Sequence, residues 1–470
     1  MSRLSHEQLN VIKDRLGVDR IWSFSKMSTF EQCIWSYKLK YIDKVKGKED
    51  SCYTYWGTIA HDIRQGFYDG VYKSNDEMLE KLEDEIAKYL MEDKKELKFP
   101  NKSEHVGYFD NLRHYFANCS NIEADVRNEK PVIAVLKGNG DKKFAFQGYI
   151  DSYYKEDGKH YILDYKTSSI IGFTGEKLLK KSQQLMVYAY GLWKQQGIPI
   201  EDIVIKFDMM KYCNVSFLLK NGNTKVTKCE RRNWVGNISN QIHKDFEDVP
   251  KLIEAHQKKV MQLTKKMNAK CRTPEEVEEL KVQIGELENE IKGLEEVSFD
   301  VLEINEKISK AIDDNNLSSL PQFIQDKYTV SECMIEVELN QEIIEECIAN
   351  IVELLEAIVE AESGEHEESF NRNRIVENES YYCNNLCDVR DSCKFYKEYR
   401  EHLDLFFNGG DKSENSDDLI LAMLGLWGVT EWELYQKSLT IWLKVRYQVM
   451  KSVIGRCKLI DLCWIWNIGS

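Results

Sequence analysis

The sequence predicts an α/β protein: a sheet core flanked by helices, followed by a large α-helical insertion. Three observations predict it. Residues 130–220 hold β-rich runs broken by the hairpin signals "GNGD" and "EDGK". In the same stretch "KSQQLMVYAYGLWKQQG" reads as a helix closed by Gly197. Beyond residue 230 the apolar residues recur by threes and fours, the period of a helix face.

The elements follow in order. Residues 1–50 form an N-terminal helical segment, in which Ser28 is expected to cap a helix reaching about Val45. Its aromatics Trp35, Tyr37 and Tyr41 read as packing residues rather than as a stacking platform. Residues 51–230 make the core. "YWGTIAHDIRQGFYDGVY" is a helix carrying His61, and further helices cover Asp76 to Asp93 and His105 to Asn118. Three antiparallel strands follow at 131–137, 143–155 and 160–166, then the helix to Gly197, then two strands, "IVIKFDMMK" and "NVSFLLK".

Residues 231–375 form the insertion. Val277, Leu280, Ile284, Leu287, Ile291 and Leu294 make a heptad seam, and Val260, Leu263 and Met267 precede it with similar spacing. Thr273, Pro274 and Glu275 start the second helix, so a coiled-coil-like hairpin turning near Ala269 to Thr273 is expected. It serves either as an arm packed on its own core or as a dimerisation or partner-docking arm. "QEIIEECIANIVELLEAIVEAE" is a later amphipathic helix. A cysteine-bearing segment spans 376–405, and an apolar, Trp-rich helical tail spans 406–470. The tail needs burial on its own domain or on a partner.

The 470 residues leave room for two or three domains, and the net charge of −15 excludes a globally basic surface but not a local one. The first twenty residues are polar and charged, unlike a secretory leader. A reducing, cytoplasmic setting is therefore expected, in which the 13 cysteines read as metal ligands or small apolar residues before disulfides. The longest apolar run near the end, Leu419 to Val429, is too short to span a bilayer, so no membrane association is expected.

Two constellations carry chemistry. "YYCNNLCDVRDSC" crowds Cys383, Cys387 and Cys393 together, and thiolates at such spacing bind zinc or an iron–sulfur cluster. A fourth ligand must come from afar, and Cys33 is the best candidate. The plain alternative is three inert cysteines in a helical turn. The second constellation is "YILDYKTS", where alternation puts Asp164 and Lys166 on one strand face. That is either a solvated ion pair or half of a metal site. Asp151 lies in the preceding strand, so two carboxylates and a backbone carbonyl, that of Tyr165, can form a hard oxygen site for Mg2+ or Mn2+. Lys166 then orients or deprotonates a water or stabilises developing charge. An imidazole from His61 favours Mn2+. Gln184 and Tyr188 stand four apart on one helix face.

The order "GTIAHD", "GYIDSYY", "ILDYKTS", "QQLMVYAYG" resembles the RecB-type branch of the PD-(D/E)XK nuclease superfamily. One cysteine upstream and three downstream resemble its iron–sulfur subgroup, which includes CRISPR-associated RecB-like, AddB-type and phage exonucleases. The resemblance covers about residues 22–220 and 380–400. It implies a restriction-endonuclease-like core, with His61, Asp151 and Asp164 as metal ligands and Lys166 as the catalytic lysine. It implies that Gln184 and Tyr188 support the site and the DNA strand. Cys33, Cys383, Cys387 and Cys393 would hold a 4Fe-4S cluster tying the two chain ends together. The implied activity is a Mg2+- or Mn2+-dependent deoxyribonuclease, an exonuclease on single-stranded or end-bearing DNA. Its setting would be recombination, repair or phage DNA processing, in the host cytoplasm if phage-encoded. A helicase or recombination partner is in keeping with this, and so is a homo-oligomer through the insertion or tail. A DNA-binding or assembly subunit on the same fold, without catalysis, is the alternative. A zinc-stabilised helical protein would leave the β core unexplained.

Overall fold

Helical periodicity opens the chain, and pleated alternation takes over at residue 127. In chain order the elements begin α1 (His6–Leu16), β1 (Ile21–Trp22), α2 (Phe24–Gln32), α3 (Ile34–Tyr37), α4 (Cys52–Tyr68), α5 (Asn75–Met91) and α6 (Lys102–Asn118). The middle of the chain gives β2 (Arg127–Lys137), β3 (Lys143–Glu156), β4 (Lys159–Lys166), α7 (Gly175–Gln196), β5 (Ile203–Leu218) and β6 (Thr224–Glu230). Then come α8 (Trp234–Met267), α9 (Pro274–Glu295), α10 (Val301–Asp314), α11 (Gln322–Gln325), β7 (Thr329–Val337), α12 (Gln341–Ser363), α13 (His366–Ser369) and α14 (Lys394–Asn408). The structure is a computed structural model and describes residues 4–47, 51–91, 97–219, 221–269, 273–297, 300–364, 366–370 and 382–408. They divide into two compact units, one drawn from Met1–Glu31 and Glu49–Ser363, the other from Gln32–Lys48 and Gly364–Ser470.

The first unit holds a seven-stranded mixed sheet flanked by helices. β2, β3 and β4 form an antiparallel meander, as the alternation and the two turns predict. α7 then carries the chain over to β5, which pairs parallel to β4. Tyr161 and Leu163 of β4 alternate with Ile162 and Asp164, so successive residues serve opposite sheet faces. Helices α4, α5 and α6 pack a cluster around Trp56, Leu82, Phe109 and Tyr115 against Leu163, Tyr165 and Met210. Each such buried ring or branched chain contributes about 1.5–3 kcal/mol by leaving water. A second cluster joins the start of α8 and α10 to Val215 and Phe217 at the far end of β5.

The structure departs from the sequence reading in four places. "IVIKFDMMK" and "NVSFLLK" are one strand, β5, whose pairing with β7 slips between Asp208 and Cys213. The slip falls between the two runs, so a bulge stands where a break between strands was expected. β6 pairs with β5 over Tyr212 to Leu218, yet its mostly exposed alternation carries no apolar signal. β7 returns from within the helical stretch to pair along the other edge of β5. Finally, Ser23 rather than Ser28 meets the start of α2, accepting from the Lys26 N–H at 3.3 Å, while the Ser28 hydroxyl donates to the Ser25 carbonyl. The expected single helix to Val45 is broken at Cys33, where α3 begins and then gives way to a π-type turn over Lys38–Ile42.

The insertion's hairpin is present as α8 and α9, linked by His256 Nδ1 and Glu290 Oε2 at 3.4 Å. Thr273 and Glu276 close a reciprocal capping box with Pro274 in the first turn. Of the seam on α9, Leu287 and Leu294 are buried and the rest is partly open. The turn residues 270–272 and the tail beyond 408 lie outside the described residues. Among the described residues no helix is long and apolar enough to cross a membrane.

Candidate active site

The ladder between β3 and β4 ends at the pair Ser152 and Leu163. One step further the register would set Asp151 opposite Asp164, so both carboxylates belong to the same point of the sheet. That is where the strands stop pairing. His61 comes to this point from α4. Its Nε2 donates to the Tyr165 carbonyl at 2.6 Å, and its Nδ1 lies 3.3 Å from Asp151 Oδ2. The Tyr165 N–H also faces Asp151 Oδ2, at 3.4 Å. Lys166 Nζ pairs with Asp164 Oδ2 at 2.5 Å. Gln184 Nε2 donates to the Tyr188 hydroxyl at 2.7 Å on α7. The structure thus brings His61, Asp151, Asp164, Tyr165 and Lys166 together, with Gln184 and Tyr188 on the neighbouring helix.

The electrostatics of this group are unbalanced. Asp151 is pushed up to about 6, by burial first and then by the Asp164 charge; His61, Lys166 and the Tyr165 N–H act against that rise. Burial by itself would lower Lys166, but the Asp164 and Asp151 carboxylates outweigh it and hold the ammonium above the ordinary lysine value. Tyr188 is raised to about 12, mainly by burial.

The donor set fits a divalent cation. Asp164 Oδ2 is buried and, despite its ion pair, has no hydrogen bond of acceptable geometry. Both ring nitrogens of His61 face oxygen acceptors, and a neutral imidazole can donate to only one. A cation answers both deficits, and two carboxylates, an imidazole and a carbonyl are the donors Mn2+ and Mg2+ use. Among the described residues, no three His, Cys, Asp or Glu side chains already stand close enough to enclose one ion.

Two residues of the site had no role in the sequence reading. Gly148 opens the "GYID" stretch, and a Cβ there would fall 2.0 Å from Tyr188 Cε1. Glycine is therefore what lets the Tyr188 ring lie on β3. Arg64, one turn beyond His61, is 2 % exposed and donates to Asn121 Oδ1 and the Ser120 carbonyl, each at 2.6 Å. It anchors α4, and with it His61. Its only sequence signal was a charge on the buried side of an amphipathic helix.

In the second unit, Cys33, Cys383, Cys387 and Cys393 line one small cavity with Trp35, Ser36 and Tyr382. Cys33, Cys383 and Cys387 are buried, and Cys393 is partly exposed. Cys33 Sγ accepts from the Ser36 N–H at 3.4 Å, and burial pushes the Cys33 thiol up to about 11, with Cys387 and Cys393 adding to the rise. Trp35 is buried and meets Phe395 edge-on at 5.2 Å, while Tyr37 stacks on Phe370. These aromatics are packing residues, as expected.

Comparison with curated proteins finds no match for the sequence. The family model for the PD-(D/E)XK nuclease superfamily matches residues 21–394, a span that takes in the sheet, the parted strands and both aspartates. With that match over most of its length, the chain belongs to the PD-(D/E)XK nuclease superfamily.

Proposed function

We propose that this protein is a metal-dependent DNA exonuclease of the RecB-like iron–sulfur branch, acting on single-stranded or end-bearing DNA in recombination, repair or phage DNA processing. The observation that carries the reading is the juxtaposition of Asp151 and Asp164 at the end of the β3–β4 ladder, with His61 and Lys166 beside them. Bound Mg2+ or Mn2+ supplies Lewis-acid stabilisation of the phosphoryl oxygens and an activated water. His61, Asp151, Asp164 and the Tyr165 carbonyl would hold it. Lys166 is kept protonated by its two carboxylate neighbours, which suits it to steady the phosphate and its developing negative charge rather than to remove a proton. The Gln184–Tyr188 pair on α7, with the Tyr188 ring lying on Gly148, offers polar groups to the DNA strand.

The ground for a 4Fe-4S cluster is that the four cysteines share one cavity, although they do not already stand close enough to enclose an ion. Four mostly buried cysteines around one void are the donors such a cluster uses, one thiolate for each iron. The same cavity penalises bare thiolates, a cost that bound iron removes. The exposed stretches of the α8–α9 arm leave room for a helicase partner or a second copy.

The test is a digestion time course of the full chain on labelled single-stranded, duplex and circular DNA, with Mg2+, Mn2+ or EDTA. Metal-dependent shortening of linear DNA, sparing circles and absent in Asp164→Ala, is expected. A variant that cuts as well as the parent would overturn the site assignment; cleavage of circles would overturn the exonuclease reading. Anaerobic purification should give a brown protein, and a colourless protein with stoichiometric zinc would overturn the cluster.

A further inference from the structure

We propose that Lys211 is a positioning residue that takes a backbone phosphate of the bound DNA strand beside the reacting one, an inference that rests on the nuclease reading. β5 carries it. Met209 is registered against Lys166, and Lys211 lies two residues further along the strand. Its Nζ sits 5.0 Å from the centroid of the Tyr108 ring on α6. Tyr108 is 4 % exposed, and its hydroxyl reaches the side chain of Thr167, the residue after Lys166. That contact misses hydrogen-bond geometry, so the buried hydroxyl has no partner. Thr167 Oγ1 in turn lies 3.4 Å from where a Cβ on Gly57 would be, one turn before His61 on α4. Lys211, Tyr108, Thr167 and Gly57 therefore form one strip leading away from the end of the catalytic strand.

Lys211 combines a missing counter-ion with a place beside the catalytic strand. Lys159 pairs with Asp202 at 2.9 Å and Lys206 with Glu336 at 3.5 Å. Lys130, which also lies over a tyrosine ring, that of Tyr153, stands on β2, away from the end of β4. Among the described residues Lys211 has no hydrogen bond or ion pair, and its Nζ faces the Tyr108 ring. It is partly buried, and burial lowers its pKa; Arg232 adds to that, while Glu230 and Glu104 oppose it from beyond ion-pair distance. A desolvated ammonium with no anion, next to a site that handles phosphodiesters, is the electrostatic complement of a phosphate. The flank of α4 beside it is uncharged, with Thr54 and Thr58 exposed and Gly57 offering no side chain. A strand can therefore approach closely along that flank, with Glu104 and Glu230 beyond ion-pair distance of Lys211. The bland role, a cation lying on an aromatic face, would add to stability and contribute nothing to DNA binding.

The experiment separates these. The full chain is titrated onto a labelled single-stranded oligonucleotide in EDTA, so that nothing is cut, across a range of salt. Lys211→Gln should bind roughly tenfold more weakly, with the slope of log K against log salt reduced by about 0.7. Lys211→Arg should keep the parental slope, and so should Lys281→Gln on the distant arm. With Mg2+ present, Lys211→Gln should raise KM while kcat stays within about twofold. A parental salt slope and KM in Lys211→Gln overturn the proposal, and if its melting temperature falls at the same time the residue is a packing cation. A parent that binds the oligonucleotide through Lys211 but cleaves nothing overturns the nuclease reading alone.

Discussion

Neutralising Asp151 should make the metal-free protein more stable while abolishing cleavage. Its carboxyl is pushed from an ordinary 3.8 to about 6, by burial and then by Asp164. One pKa unit corresponds to about 1.4 kcal/mol, so the ionised side chain costs roughly 3 kcal/mol above pH 6. The side chain is only 20 % exposed, so solvent screens little of this. Because the folded value lies above the unfolded one, the native state binds the proton more tightly. Stability is therefore lost as pH rises between about 4 and 6 and stays lost above that window. Asp151→Asn removes the charge and keeps the shape. In EDTA at pH 8 its melting temperature should exceed the parent's by roughly 5 °C, and the gain should shrink toward zero near pH 4. If Asp151 is a metal ligand as proposed, millimolar Mn2+ should raise the parent's melting temperature and move the variant's much less. A variant no more stable than the parent at pH 8, or equally stabilised at pH 4 and pH 8, would refute the reasoning.

The remaining predictions concern residues that hold the site in shape. Gly148→Ala drives a methyl into the Tyr188 ring, so it should cost about 1–3 kcal/mol in denaturant melts and lower kcat; unchanged stability and activity would show that the ring is free to move. Arg64→Met leaves Asn121 and the Ser120 carbonyl short of a donor, and a loss of about 3 kcal/mol is expected in urea titrations. It should also weaken Mn2+ binding measured by calorimetry, through His61; parental metal affinity would mean that α4 is held without it.

Much of this was readable from the residues because local chemistry and global fold agree there. The meander β2–β3–β4 carries strong alternation and two unambiguous turns, and the α7 helix ends at Gly197, as its spacing and glycine require. The candidate site residues were chosen by their order along the chain, and a register continued by one step explains why Asp151 and Asp164 come together. What failed to show had a different physical origin. β6 alternates with little apolar content, and β7 is a short run flanked by helices whose strand identity comes from the partner waiting on β5. The break at Cys33 reflects a side chain used as a cap, a role cysteine rarely signals. Gly148, Arg64 and Lys211 matter through neighbours far away in sequence, so no local pattern could announce them.

The position of β7 has a consequence for how the chain is made. β4 and β6 pair with β5 within a few dozen residues of it, but its other edge is covered only by a strand that emerges after the whole α8–α11 excursion. At ordinary rates of synthesis, about a hundred residues take on the order of 5–20 s. For that interval the nascent sheet offers an uncovered row of backbone donors and acceptors, the kind of edge that recruits foreign strands. α8 precedes β7 along the chain and packs on Val215 and Phe217, so it is the element available to cover the far end of β5 until that strand arrives.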